Sequence, residues 1–439
     1  LNETACVKKP PLFQLALCLG INSLISCIHS NKQIVGGDFI DSVIVHYSPS
    51  SIARENEEEL KFWKSRIIPQ MPGMVNESRF AGCLYTRFHF FGDIYDLIKA
   101  DSILRKVNAD FNYKEASADL TLSAYSITEH RFMQADSFLQ KAKQLGIKPY
   151  ESLTSSFDVD FELGRYGEAQ LALNGLAAPN DYGYFFRKSK MEHWQGALDS
   201  SIDAMLRAAR LNNGSDYLKQ VALANAADLY IHAGDLQRAS DLYVQCIRSD
   251  GDDFHSLAGL GWIALVHDSN DSLAEKIFQF ILSKNKLPDP LFKLAQVAEV
   301  RGDSTGQMKY AEAFAAAASN ALYGNMYNKY LIELYTGILK NAPKAGMIAR
   351  QELNNRATPQ TYAWYAWSLF KNNKKDEAYS IYRQHVSGKP LEGLELYWMG
   401  KLMQGLGKGY NASEFFKAAY TNKYDLDPAI MKDIGKSLD

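Results

Sequence analysis

The chain has 439 residues, 46% of them hydrophobic and 22% charged, too apolar for disorder and long enough for one large or several small folded units. Lys and Arg total 48 against 50 for Asp and Glu; the formal net charge of -2 offers no basic field for a phosphate backbone, so nucleic acid is not expected as a partner. Aromatic residues reach 12% while glycine and proline number 29 and 13, a balance that suits packed helices better than low-complexity sequence.

Residues 1–27 differ from the rest. Lys8 and Lys9 precede a run from Leu12 to Ile25 that is apolar except at Gln14, Asn22 and Ser23, the order of charges and apolar residues found in a signal peptide. The run falls short of the roughly 20 residues a membrane-spanning helix needs. It ends in Leu24-Ile25-Ser26-Cys27, which resembles the lipobox of bacterial lipoproteins. The resemblance implies lipidation of Cys27, cleavage before it and acylation of the new amino terminus, and several acyl chains together anchor a protein stably. The expected location is the bacterial cell envelope, on the periplasmic side of an outer membrane. An ordinary secretory signal, or a later start giving a cytoplasmic protein, is the alternative. The other cysteines, Cys6, Cys18, Cys83 and Cys246, have no zinc-site spacing, and Cys83 and Cys246 read as small packed hydrophobes.

Segment 28–76 reads as a tether and an N-terminal helix. Gly36-Gly37 and Ser48-Pro49-Ser50-Ser51 are turn signals, with a short strand expected at Val43 to His46. Ser51 and the acids Glu55 and Glu57 to Glu59 predict a capped helix running to about Ile67, which Pro69 and Pro72-Gly73 end. The acids read as a solvated face.

From 77 to 426 the sequence repeats. Leu223-x2-Ala226-Ala227-x2-Tyr230 followed by Ala239-x3-Tyr243-x2-Cys246 places large, small and aromatic residues as a tetratricopeptide unit does. The same template fits Leu257-x2-Leu260-Gly261 with Ala274-x3-Phe278, Tyr362-x2-Tyr365-Ala366 with Ala378-x3-Tyr382, and Leu396-x2-Met399-Gly400 with Ala412-x3-Phe416. Ala135, Ala169, Ala239, Ala274, Ala345, Ala378 and Ala412 are separated by 34, 70, 35, 71, 33 and 34 residues, a period near 34. Two antiparallel helices approach closely only where one side is small, so alanine and glycine mark the crossings. The chain is therefore expected to be all-α, a right-handed tetratricopeptide-type solenoid of roughly ten helix pairs after a short irregular segment, closed by a capping helix over 427–439.

The middle also resembles an uncharacterised bacterial family of tetratricopeptide proteins over residues 85–320. The resemblance rests on Glu129-His130-Arg131-Phe132-x2-Ala135, on Glu162-Leu163-Gly164-Arg165-Tyr166-Gly167-Glu168-Ala169 and on Trp194-Gln195-Gly196-Ala197. It implies an interaction scaffold and carries no activity with it.

No H-E-x-x-H, G-x-S-x-G or G-x-x-x-x-G-K-[ST] motif occurs, and no enzyme activity, cofactor or metal is expected. Gly405-Leu406-Gly407-Lys408-Gly409 follows a helix and reads as an inter-helix turn; the nine histidines lack ligand spacing; Asp158 and Asp160 lack a cleft. In the repeat register the concave wall carries Asp228, His232, Trp262, Trp367, Phe370, Tyr397 and Lys401, an aromatic lining suited to a protein or peptide ligand. Their other reading is packing against the neighbouring helix. The positions where chaperone-binding domains hold Lys and Asn carry Ala224, Ala258, Ala363 and Tyr397, which argues against that ligand class. A glycan- or nutrient-binding outer-membrane lipoprotein is the alternative to a tethered protein scaffold.

Overall fold

The computed structural model describes residues 33–438 except 72, 179, 213 and 408. The signal-like segment, Cys27 and Lys408 lie outside the described residues. Among those described, the regular structure is helical throughout. Two leading helices, α1 (Gly37–Val45) and α2 (Ser51–Ser65), precede the pairs α3 (Met74–Phe91) with α4 (Ile94–Asp110), α5 (Ala116–Thr128) with α6 (Phe132–Leu145), and α7 (Pro149–Glu162) with α8 (Tyr166–Gly175). Then come α9 (Tyr182–Trp194) with α10 (Leu198–Arg210), α11 (Asp216–Ala233) with α12 (Leu236–Ser249), α13 (Phe254–Val266) with α14 (Asp271–Lys284), and α15 (Asp289–Arg301) with α16 (Ser304–Ala318). The last pairs are α17 (Asn328–Thr336) with α18 (Ala342–Asn355), α19 (Pro359–Lys371) with α20 (Lys375–Ile381), and α21 (Gly393–Leu406) with α22 (Ala412–Thr421), before the final helix α23 (Pro428–Leu438). The chain is a helical-repeat solenoid.

The repeat chemistry explains the pairing. Ala135, Ala169, Ala239, Ala274, Ala345 and Ala378 are all fully buried at helix crossings, while Ala412 is partly covered. The opposite side of each crossing is equally small: a methyl group on Gly261 would meet Phe278 at 2.9 Å, and one on Gly400 would meet Phe416 at 2.7 Å. The turn inside each pair contains one left-handed residue, among them Gly92, His130, Gly164, Gly234, Ser269, Gly302 and Asn373. In five pairs an Asp or Asn follows directly and caps the next helix, as Asp235 does for the Arg238 N–H (3.1 Å) and Asn270 for the Leu273 N–H (3.0 Å). Gly407, at φ 99°, supplies the same reversal, so the Gly405 to Gly409 stretch is the turn its composition indicates.

Three features depart from the sequence-based expectation. Residues 37–45 form a helix rather than a tether with a strand, because Ile40 is fully buried among the hydrophobic side chains around α14, and the Asp268 carboxylate accepts the Ile34 and Val35 N–H groups (3.0 and 2.9 Å). The cap of α2 is Ser50, one residue earlier than expected. The repeat is also broken between α16 and α17 by a short 3-10 turn, Ala321–Tyr323.

That break serves long-range closure. Asn325 Nδ2 in the inserted segment donates to the His130 carbonyl (3.3 Å). Asn355, ending α18, brackets the turn between α5 and α6: its Oδ1 accepts the Phe132 N–H (2.9 Å) and its Nδ2 donates to the His130 carbonyl (2.8 Å). Arg356 reaches Glu162 (3.5 Å), the Lys286 N–H donates to the Phe91 carbonyl (2.9 Å), and Gly92 packs on Leu287. The early pairs thus touch helices more than 190 residues later, and the superhelix closes on itself. Asp158 pairs with Arg187 (2.5 Å) and Asp160 with Arg165 (2.8 Å), leaving each carboxylate in its own ion pair.

Candidate functional site

The first helices of the pairs form the concave wall, and closure of the superhelix encloses the space they face. A cavity of about 590 Å³ lies between α11, α13 and α15, with the end of α3 and Tyr330 of α17 completing it. Phe90, Tyr217, Tyr243, Phe254, Trp262 and Tyr330 line it, with Asp228, His255, Asp289 and Lys293 among them.

At its centre the Tyr243 hydroxyl donates to Asp228 Oδ1 (2.5 Å) and His255 Nε2 lies 2.9 Å from Asp228 Oδ2. The His255 side chain is 61% exposed, and Asp228, Asp253 and Asp289 are the charges that act on it. The Asp228 carboxylate pushes His255 up to about 9. Burial alone would raise Asp228, but the charge of His255, with the His255 and Tyr243 hydrogen bonds, overcomes it and holds the carboxyl below its usual range. Asp289 accepts the Tyr327 hydroxyl (2.6 Å) and keeps an exposed edge. The Lys293 ammonium sits 3.6 Å from the centre of the Trp262 ring, and desolvation lowers it to about 8. Desolvation, with Asp427 nearby, pushes Glu333 up to about 8. An imidazolium held by a carboxylate is an ion pair and lacks the free lone pair of a general base. Among the described residues no group of three or more His, Cys, Asp or Glu is placed to hold a metal ion.

The predicted concave residues fall into three sets. Asp228 faces the cavity. His232, Trp262, Tyr397 and Lys401 are engaged by the chain's own C-terminal segment: Trp262 Nε1 donates to the Tyr424 carbonyl (2.6 Å) and His232 Nδ1 pairs with Asp425 (2.8 Å). The Tyr397 hydroxyl donates to Asp433 (2.8 Å), and Lys401 forms an ion pair with the same carboxylate (2.9 Å). Trp367 and Phe370 point into the stack instead. Trp367 is buried, donates to Thr336 Oγ1 (2.9 Å) and stacks on Trp398 at 5.7 Å, while Phe370 packs over Gly405. Helix α23 is therefore more than an end cap, since it and the loop before it lie against the concave wall from α11 to α21.

His255, Asp289, Lys293 and Tyr330 are the site residues that sequence reading missed. His255 and Asp228 are 27 residues apart and meet only because α11 and α13 are adjacent first helices. A register comparison between consecutive repeats is the one signal that pairs them.

No protein-family model matches this chain, and no curated protein is similar to it in sequence. Solved structures are similar in fold. PilF of Pseudomonas aeruginosa is 12% identical with a TM-score of 0.36, covering 50% of this chain and 97% of that one. A tetratricopeptide repeat protein from Parabacteroides merdae is 16% identical with a TM-score of 0.34, covering 66% and 98%. The human IFIT1 dimer with PPP-AAAA is 13% identical with a TM-score of 0.46, covering 75% and 76%. At these values the likeness is one of helical-repeat architecture alone. IFIT1 is seen with PPP-AAAA and with m7Gppp-AAAA, and for this chain the exclusion of nucleic acid from net charge is corrected on the ground of that inference itself. A near-zero net charge averages over the whole surface and does not describe the local field of a groove.

Proposed function

We propose that this protein is a non-enzymatic interaction scaffold whose concave wall holds a peptide segment of a protein partner. The observation that carries this reading is the occupancy of the wall by residues 424–433 of the chain itself. Side chains from α11, α13 and α21 grip that segment through a backbone carbonyl and two aspartates, contacts by which a groove holds a peptide. Repeat solenoids suit this role because successive first helices present a continuous surface at fixed spacing.

The test uses the full chain with Tyr397→Phe and Lys401→Ala, which removes both ties to Asp433. Faster hydrogen exchange in α23 verifies release of the segment. An added peptide of residues 422–438 is then expected to bind and to slow exchange in α13 and α21. A released α23 with no binding of the added peptide refutes the reading.

The second part of the proposal is attachment to a bacterial envelope membrane through lipidated Cys27, which rests on Leu24-Ile25-Ser26-Cys27. Among the described residues no helix is long and apolar enough to cross a membrane. Cys27→Ala is expected to move the protein out of the membrane fraction and to abolish an acylated N-terminal peptide in mass spectra. Retention in that fraction counts against the anchor.

A further inference from the structure

We propose that the cavity between α11, α13 and α15 receives a cationic side chain, a lysine or arginine of an extended peptide partner, with Asp228 and Asp289 as its counter-ions and Tyr217, Trp262 and Tyr330 as its walls. The inference rests on the reading of the concave wall as a peptide groove and adds the chemistry of the ligand.

Charge complementarity favours a cation. The lining contains Asp228, Asp250, Asp252, Asp253 and Asp289 against His255 and Lys293 as cationic groups, with a third basic residue, His89, pushed below its usual range by burial. Three of those aspartates are committed to the fold. Asp250 accepts the Asp252 N–H (2.9 Å), Asp252 accepts the Tyr47 hydroxyl and the Ser50 N–H (both 2.7 Å), and Asp253 caps α13 while taking Gln220 (3.0 Å). Asp228 and Asp289 remain. Asp289 accepts one tyrosine hydroxyl and Asp228 accepts a tyrosine hydroxyl and pairs with His255, and a carboxylate with about four lone-pair sites has room for a further donor. Asp228, Asp253 and Asp289 all act on His255, whose single positive charge cannot balance three carboxylates.

The walls favour the same guest. Trp262, Tyr330 and the 39%-exposed Tyr217 line the space, and aromatic rings attract cations. The protein already holds one cation in this way, the Lys293 ammonium over Trp262 (3.6 Å). An apolar guest would strip water from the two carboxylates without replacing it, and an anion would meet the net negative field. A volume of about 590 Å³ exceeds a single side chain and leaves room for the backbone that carries it.

The test is fluorescence anisotropy on the full chain with labelled Gly/Ser nonapeptides that carry three arginines, three citrullines or three glutamates. Citrulline keeps the shape of arginine and removes its charge. The arginine peptide is expected to bind at least tenfold tighter than the citrulline peptide, and Asp228→Asn and Asp289→Asn are each expected to weaken it about tenfold. Lys293→Met, which removes the resident competing cation, is expected to strengthen it severalfold; circular dichroism checks the fold of each variant. Equal binding of arginine and citrulline peptides overturns the inference and leaves the peptide-groove reading standing. Preferential binding of the glutamate peptide, or of a PPP-AAAA oligonucleotide competing at the same cavity, overturns it as well. If no nonapeptide binds while the 422–438 peptide does, the cation site alone fails; if neither binds, both readings fail.

Discussion

Replacing Asn355 with alanine tests whether the superhelix is held shut by a single side chain. Asn355 Oδ1 is the acceptor for the Phe132 N–H at the first position of α6, a donor with no partner inside its own helix. Its Nδ2 donates to the His130 carbonyl, which keeps a second donor in Asn325. Alanine therefore leaves one partly buried N–H without a partner, costing about 1–3 kcal/mol, and removes the hydrogen bond to the His130 carbonyl, about 0.5–1.5 kcal/mol, besides a local one to Glu352 Oε1 (3.2 Å). The sum for the two closing contacts is about 1.5–4.5 kcal/mol. It bears on contacts between residues 223 or more positions apart, so the loss is expected as local opening and not as uniform weakening of every repeat. Hydrogen exchange read by mass spectrometry is the assay. Amides of residues 130–135 are expected to exchange about tenfold or more faster at the lower limit of that range, with α21 and α22 unchanged. Small-angle scattering is expected to report a larger radius. Unchanged exchange at 130–135, in a variant shown to be folded, would refute the reasoning, because closure would then rest on the Arg356 and Gly92 contacts.

Further predictions concern buried charge and the crossing points. Glu129 is fully buried, Arg131 lies 3.2 Å away, and desolvation raises the carboxyl to about 7 while Arg131 and Arg105 oppose the shift and Asp101 adds to it. A carboxyl raised in the folded state binds more protons there than in the unfolded chain, so stability falls as pH rises from about 4.5 to about 7. Glu129→Gln is expected to add about 1–3 kcal/mol in urea denaturation at pH 8 and much less at pH 4; an equal gain at both would show that the proton is not the cause. Glu395 is also fully buried, accepting Trp364 Nε1 (2.7 Å) and pairing with Lys329 (3.1 Å). Lys329→Met strands that carboxylate and is expected to cost about 3–5 kcal/mol, with Glu395→Gln in the same chain recovering part of it. Gly400→Ala forces a methyl group to 2.7 Å from the buried Phe416 ring and is expected to cost about 1–3 kcal/mol, relieved when Phe416 becomes leucine. A Gly400→Ala protein as stable as the parent would place the α21 and α22 crossing elsewhere.

Much of the architecture was legible because repeat packing is a local, periodic constraint. Ala239 and Ala274 announce their crossings from sequence since only a small residue fits where two helices touch, and both are fully buried. Pairs that depart from the template were harder to see. The pair α9 with α10 carries Ala204 in place of the missing marker, and α15 with α16 carries Ala311, both buried yet flanked by atypical residues. A left-handed residue followed by Asp or Asn, as in Gly92-Asp93, Gly234-Asp235 and Gly302-Asp303, marks such turns independently.

The sequence by itself determined the helices, their pairing and the period, because each depends on neighbours within about one repeat. Trp262, Tyr397 and Lys401 were also placed on the concave wall from register alone. What those residues touch was decided by the tertiary structure. The superhelix closes through Asn355, Asn325 and Lys286, and the C-terminal segment folds back over the wall, both by contacts spanning far more than one repeat. Such contacts leave no period in the sequence. The Asp228 and His255 pair, the Lys293 and Trp262 pair and the cavity they share arise only where the solenoid brings successive first helices side by side and encloses them.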